Sequence, residues 1–214
     1  MRQIIYYISN ALPYMLCAIP VFVIVRAIWV VYSKRNGRKT NWLREVALLL
    51  FTVFCVGLAS QTVIPKLEFG TSTGAIVNWS LASRYNLIPG MVFIDTYREC
   101  VQHGYWLYFV INFVGNIVLF IPIGFGCALL WKGITGKRAA LIGFLTSLFI
   151  ELCQLPQARG TDVDDLWLNV LGVMLGYWLY KRMERNSSAK KTFAKFKVSS
   201  GSGTGYDVQR SNRN

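Results

Sequence analysis

Apolar residues along this chain gather into runs long enough to cross a bilayer. Four runs are plain, at about Leu12 to Tyr32, Leu43 to Ile64, Tyr105 to Trp131 and Ala139 to Leu155, and a fifth, Val163 to Tyr180, begins inside a polar cluster. Each is close to the ~20 residues that traverse a ~30 Å hydrocarbon core. The pattern predicts an all-α, polytopic membrane helical bundle of about five transmembrane helices. An odd number of crossings puts the two termini on opposite sides. Composition agrees, since 54% hydrophobic against 15% charged residues excludes an ordinary soluble domain.

Charge sets the expected orientation, because lysine and arginine stay cytoplasmic while acids count for little. Lys34, Arg35, Arg38, Lys39 and Arg44 lie between runs 1 and 2, Lys132, Lys137 and Arg138 between runs 3 and 4, and nine more basic residues follow from Lys181 to Arg213. The opposite side carries only Arg2, Lys66, Arg84, Arg98 and Arg159. The expected topology is therefore N-terminus out and C-terminus in. A net charge of +13 invites a nucleic-acid reading. Its place beside the spans instead fits anionic inner-leaflet lipids as partners, and no nucleic acid. The first run is expected to stay as an anchor, since a basic block follows it.

Four segments follow from these patterns. Residues 1–64 are two transmembrane helices with a basic cytoplasmic loop. Residues 65–104 are an extracytoplasmic loop, interfacial or re-entrant around Trp79 to Gly90, folding back over the bundle. Residues 105–180 are a three-helix core, and residues 181–214 are a basic cytoplasmic tail too polar to support a core and expected to be disordered. Arg26 is expected to snorkel to the headgroups. Pro20 and Pro122 are expected to kink their helices, and Asn86-Leu-Ile-Pro89 to form a turn. The five cysteines show no metal or redox spacing; four fall inside the runs, and Cys100 is expected to be exposed on the outer side. His103, the single histidine, reads as a surface residue.

The chemistry concentrates between runs 4 and 5. Glu151, Gln154, Arg159, Asp162, Asp164, Asp165 and Asn169 are crowded together where ionisable groups are costly unless they pair or face a cavity. Glu151 and Gln154 are three apart and share a helix face; Asp162, Asp165 and Asn169 share another, with Asp164 pointing elsewhere. Thr161 or Asp162 is positioned to cap the fifth helix, which accounts for one or two of the carboxylates. In run 3, Asn112 and Asn116 also share a face, and Gly115 admits a close neighbour. All these positions fall toward the outer ends of their runs, which predicts a convergent polar pocket. Gly172 and Gly176 form a small-xxx-small pair for close helix contact.

Taken together, Asn86-Leu-Ile-Pro89, Asn112 with Gly115-Asn116, Leu119-Phe-Ile-Pro122-Ile-Gly124-Phe, Glu151 with Gln154, Arg159 with Asp162, Asp164 and Asp165, and Asn169 with Gly172 and Gly176 resemble the VanZ-like family. These motifs run from about Asn86 to Tyr180, while runs 1 and 2 add little. The resemblance implies a multi-pass protein of the bacterial plasma membrane, with a role in glycopeptide, especially teicoplanin, resistance.

Two functions of different classes follow. The first is a binding protein of the cell envelope whose outer-leaflet pocket, built from Asn112, Asn116, Gln154, Arg159 and Asn169, holds a lipid headgroup or lipid-linked wall precursor. The second is a membrane enzyme acting on such a lipid, with Glu151 and Asp162 or Asp165 as an acid/base pair or as ligands of a divalent cation, and Arg159 on phosphate. No Walker loop, zinc spacing or Ser-His-Asp order favours a particular reaction, and no motif names a cofactor. A transporter is a weaker third, since no inverted repeat is present.

Overall fold

The computed structural model describes residues 2–35, 40–64, 67–70, 74–77, 85–86, 88–104, 106–155 and 161–197. Two helices, α1 (Arg2–Arg35) and α2 (Trp42–Thr62), form an antiparallel hairpin, with the Asn41 side chain capping α2 by accepting from the Arg44 amide. A short antiparallel pair follows, β1 (Leu67–Gly70) and β2 (Gly74–Val77), then a two-residue strand, β3 (Tyr85–Asn86). Next come α3 (Met91–Tyr97), running on into a wide π-helical turn at Arg98–Gln102, and α4 (Trp106–Phe109). A second π-helical turn, Val110–Val114, leads into α5 (Gly115–Leu130). The chain closes with α6 (Gly136–Gln154), β4 (Thr161–Asp162), α7 (Val163–Glu184) and α8 (Ser187–Ala194).

The architecture is all-α, as the pattern of apolar runs predicts. Three stretches, Ser9–Arg35, Trp42–Thr62 and Asn112–Leu130, are long and apolar enough to cross a membrane by length and composition. The helices α6 and α7 lie where the fourth and fifth runs are expected, but carry charges at both ends. The core is made where α2, α5, α6 and α7 meet, with Leu58, Phe120, Ile123, Cys127, Ala139, Ile150 and Val173 buried together.

Glycine sets the distance between α5 and α7. A methyl group placed on Gly172 would collide with the Ile117 carbonyl oxygen, one on Gly176 with that of Ile121, and one on Gly124 with that of Val173. The two backbones are in contact, which only the smallest side chain permits. Across the other face of α7, Gly143 of α6 lies against Val170 and Val173, at 3.2 and 3.1 Å from a Cβ built there. Thus α7 is held between α5 and α6. The wide winding in run 3 falls at Val110–Val114 rather than at Pro122, through which α5 continues.

A carboxylate anchors the long connection to this bundle. Asp164, fully buried in the first turn of α7, accepts from the backbone amides of Gly90 at 2.7 Å and Val92 at 2.8 Å, and from the Trp167 indole at 2.7 Å. It thereby caps α3, whose first amides have no carbonyl partner within their own helix. The turn there runs through Ile88 to Gly90, with Gly90 at φ 90°, a backbone conformation that favours glycine. Beside it β3 pairs in parallel with β4, setting Tyr85 opposite Thr161 and Asn86 opposite Asp162. Aromatic packing finishes the contact: Phe93 of α3 stacks on Trp167 at 6.0 Å and meets Phe113 at 5.7 Å. Of the Trp79 to Gly90 stretch, expected to be interfacial or re-entrant, residues 79–84 and 87 lie outside the described residues.

Two expectations are corrected, and a third gains a partner. Arg26, expected to reach for the headgroups, makes two 2.6 Å bonds to the carboxylate of Glu45 and covers the Trp29 ring at 4.2 Å, so two part-buried charges neutralise each other across the α1–α2 hairpin. Cys100 is not exposed but buried, 5% accessible, because the π-helical turn rotates it inward. The tail is ordered through residue 197. In α8 Phe193 stacks on Tyr180 at 5.2 Å and meets Phe125 edge-on at 5.9 Å, while the Asn41 amide donates to the Lys195 carbonyl. One aromatic side chain with two aromatic partners holds a helix whose composition is otherwise polar. Residues 198–214 lie outside the described residues.

Two outcomes follow. Gly124→Ala and Gly176→Ala will each lower stability by about 1–3 kcal/mol or more, since the added methyl meets backbone and not a movable side chain. Gly136→Ala, with its nearest neighbour at 3.7 Å, will leave thermal unfolding in detergent unchanged. Asp164→Ala removes the acceptor of one buried and one part-buried amide, at roughly 1–3 kcal/mol for the buried one. Hydrogen exchange at residues 90–92 will accelerate by tenfold or more on that scale, while exchange in α5 stays as in the unaltered chain.

Candidate functional site

Near the end of the bundle where α5 and α7 begin and α6 finishes, polar side chains connect all three helices. The Asn116 amide, in the first turn of α5, donates to the carboxylate of Asp165 in the first turn of α7. The Ser147 hydroxyl of α6 donates to the Asp165 backbone carbonyl at 3.5 Å and accepts from the Asn169 amide at 2.9 Å. Asn169 and Ser147 are 4% and 0% exposed. The remaining Asn169 atom, Oδ1, is buried with no hydrogen-bond partner among the described residues. An amide oxygen can only accept.

Helix periodicity explains why these groups meet. Ser147 and Glu151 are four apart on α6, and Asp165 and Asn169 are four apart on α7, so each pair shares a face. The close approach of α5 to α7 brings Asn116 within reach of Asp165. Asp165 also lies in the first turn of α7, at the positive end of the helix dipole. Glu151 is 7% exposed and faces the bundle one turn beyond Ser147. Gln154 is turned to another neighbour: its amide donates to the Thr62 carbonyl at 3.0 Å, tying the end of α6 to the end of α2.

Of the residues expected to converge, Asn116, Asp165 and Asn169 therefore belong to one hydrogen-bonded chain, and Glu151 lies beside it. Asn112 is half-buried in the wide turn preceding Asn116. The backbone of Asp162 pairs with that of Asn86, which brings Asn86 to this end of the bundle, where the Ile88 to Gly90 turn also lies. Arg159 lies outside the described residues. Asp164 points away from the chain, as its spacing requires, and caps α3 instead of its own helix. Ser147 is the member that sequence reasoning missed. The only signal for it is the spacing Gly143, Ser147, Glu151, a small and polar stripe along one face of α6.

The chemistry on offer is that of hydrogen bonding. Carboxylate, hydroxyl, amide and carbonyl groups are all present within a mostly apolar bundle, where a polar ligand keeps its bonds only by finding such partners. No group of three or more His, Cys, Asp or Glu side chains placed to hold a metal ion occurs among the described residues.

Among curated proteins and among solved structures, nothing matches the chain. The family model described as VanZ/LLP1 matches residues 14–184. That range takes in the whole of α2 through α7, and so extends beyond the Asn86 to Tyr180 motifs into the first two helices. With the bundle, the Asn116–Asp165 chain and the Asp164-capped turn at Ile88 to Gly90 all inside the matched range, the chain belongs to the VanZ/LLP1 family.

Proposed function

We propose that the chain crosses the bacterial plasma membrane five times, N-terminus out and C-terminus in. The Asn116–Asp165–Ser147–Asn169 chain then lies at the outer face. There it binds the polar headgroup of an envelope lipid or a lipid-linked wall precursor, and thereby alters susceptibility to glycopeptides of the teicoplanin type. The observation that carries this reading is the buried Oδ1 of Asn169, at the end of a hydrogen-bonded chain that joins three helices. An unsatisfied buried oxygen costs roughly 1–3 kcal/mol, so a group that donates to it gains on binding. A hydroxyl or amide of a sugar or peptide headgroup supplies the missing donor. Arg159, which the sequence sets in the connection from α6 to β4, supplies a guanidinium for the phosphate. The basic residues of the α1–α2 and α5–α6 connections and of the tail hold the opposite orientation out of reach.

A membrane enzyme is the second reading, favoured by the burial of Glu151 beside the Asp165 chain. Expression in a susceptible Gram-positive host separates the two. Under the binding reading, the chain raises the inhibitory concentration of teicoplanin. Glu151→Gln retains that effect, Arg159→Ala returns it to the empty-vector level, and extracted envelope lipids keep their masses. Loss with Glu151→Gln, together with a lipid or wall precursor of altered mass, assigns catalysis instead. An inhibitory concentration equal to the vector control with the unaltered chain contradicts the drug-related part of the reading.

A further inference from the structure

The end of α7 remote from Asp165 offers a second site of different character. Some 16 residues along the helix, roughly 24 Å at 1.5 Å per residue, the chain turns back into α8 and leaves an open cleft of about 580 Å³. Tyr177, Lys181, Glu184, Arg185 and Lys190 line it. Its single acid is already engaged. Lys181 donates to Glu184 at 2.7 Å, the Tyr180 hydroxyl donates at 2.7 Å, and Lys197 stands 3.5 Å away. The bond from Lys181, followed by that from Tyr180, holds the Glu184 carboxyl down at about 2, so it stays ionised and paired at any physiological pH.

One carboxylate is thus answered by two ammonium groups. Arg185 and Lys190 are exposed at the cleft and make no ion pair among the described residues. Residues 181–197 hold seven basic side chains against that one acid. Unpaired cations on a floppy tail would give only diffuse attraction. Here the docking of Phe193 on Tyr180 and Phe125 fixes α8, so Lys190 is presented to Arg185 from a set direction. Trp178, 57% exposed just before the cleft, has the character of an interfacial belt residue and marks the headgroup level. The volume suits a headgroup, and a guanidinium with an ammonium and a phenol suits phosphate oxygens.

We propose that this cleft binds the phosphate of an anionic lipid headgroup, in the leaflet opposite the Asn116–Asp165 chain. The site stands independently of the outer one. It converts the general attraction of a basic tail for an anionic leaflet into one defined contact, made by Arg185 and Lys190 and completed by Lys181 and Tyr177.

Binding of dioctanoyl phosphatidylglycerol to the purified full chain in detergent tests the proposal, with dioctanoyl phosphatidylcholine and inorganic phosphate as comparison ligands. Saturable binding of phosphatidylglycerol is expected, weakened by about tenfold or more in Arg185→Gln/Lys190→Gln. The charge-matched Lys34→Gln/Lys137→Gln variant, altered at exposed positions outside the cleft, is expected to bind as the unaltered chain does. Arg185→Lys/Lys190→Arg is expected to restore binding, which separates a lost contact from a lost fold. Equal weakening by the two charge-removing pairs overturns the site in favour of diffuse charge. Equal affinity for the two lipids overturns it too, and displacement of phosphatidylglycerol by an equal concentration of inorganic phosphate assigns the cleft to the free anion.

Discussion

The contact between the backbones of α5 and α7 is the constraint on which the rest of this structure depends. Gly172 and Gly176 admit the carbonyls of Ile117 and Ile121, and Gly124 admits that of Val173. Asn116 precedes the first of these contacts by one residue, and Asp165 lies two turns before Gly172. Their bond is thus a consequence of how near the two helices come. In a bundle bathed by lipid there is little hydrophobic drive to bring helices together, so packing and interhelical hydrogen bonds carry the association. The same short distance supplies both.

The two neighbouring acids of α7 divide the work that follows. Asp165 turns inward to α5 and α6, while Asp164 turns to α3 and holds the long connection by capping it. Both lie in a first turn, where a carboxylate is favoured by the helix dipole. Together they place the polar chain of the bundle and the docked segment around Asn86 at one end of the molecule. The opposite end is governed by cations, and there Glu184 with Phe193 brings α8 back over α7.

Much of this was legible in the sequence because apolar helices announce themselves by run length, and their polar faces by spacing. The runs located α1, α2, α5, α6 and α7. The spacing of Asp165 and Asn169, and of Gly172 and Gly176, identified faces that the structure turns to α6 and α5. What the sequence left hidden were choices of partner. Arg26 carries no mark that Glu45, nineteen residues on, lies beside it once the hairpin closes. Asp164 is seen only to point away from the face of Asp165 and Asn169, and the fold shows that it caps another helix. Ser147 is a small residue among apolar ones, indistinguishable from filler until Asn169 is placed next to it. The ordering of α8 rests on one phenylalanine whose partners are 13 and 68 positions away. Composition averages over such a residue, whereas packing does not.

The central claim is that α5 and α7 are joined by a bond between Asn116 and Asp165 which both positions need. A double-mutant cycle in detergent, comparing the unfolding of Asn116→Ala, Asp165→Ala and the double variant with the unaltered chain, tests it most directly. A coupling energy of about 1–3 kcal/mol is the predicted result for two groups that share a part-buried hydrogen bond. Additivity of the two single effects to within about 0.3–0.5 kcal/mol would contradict the account.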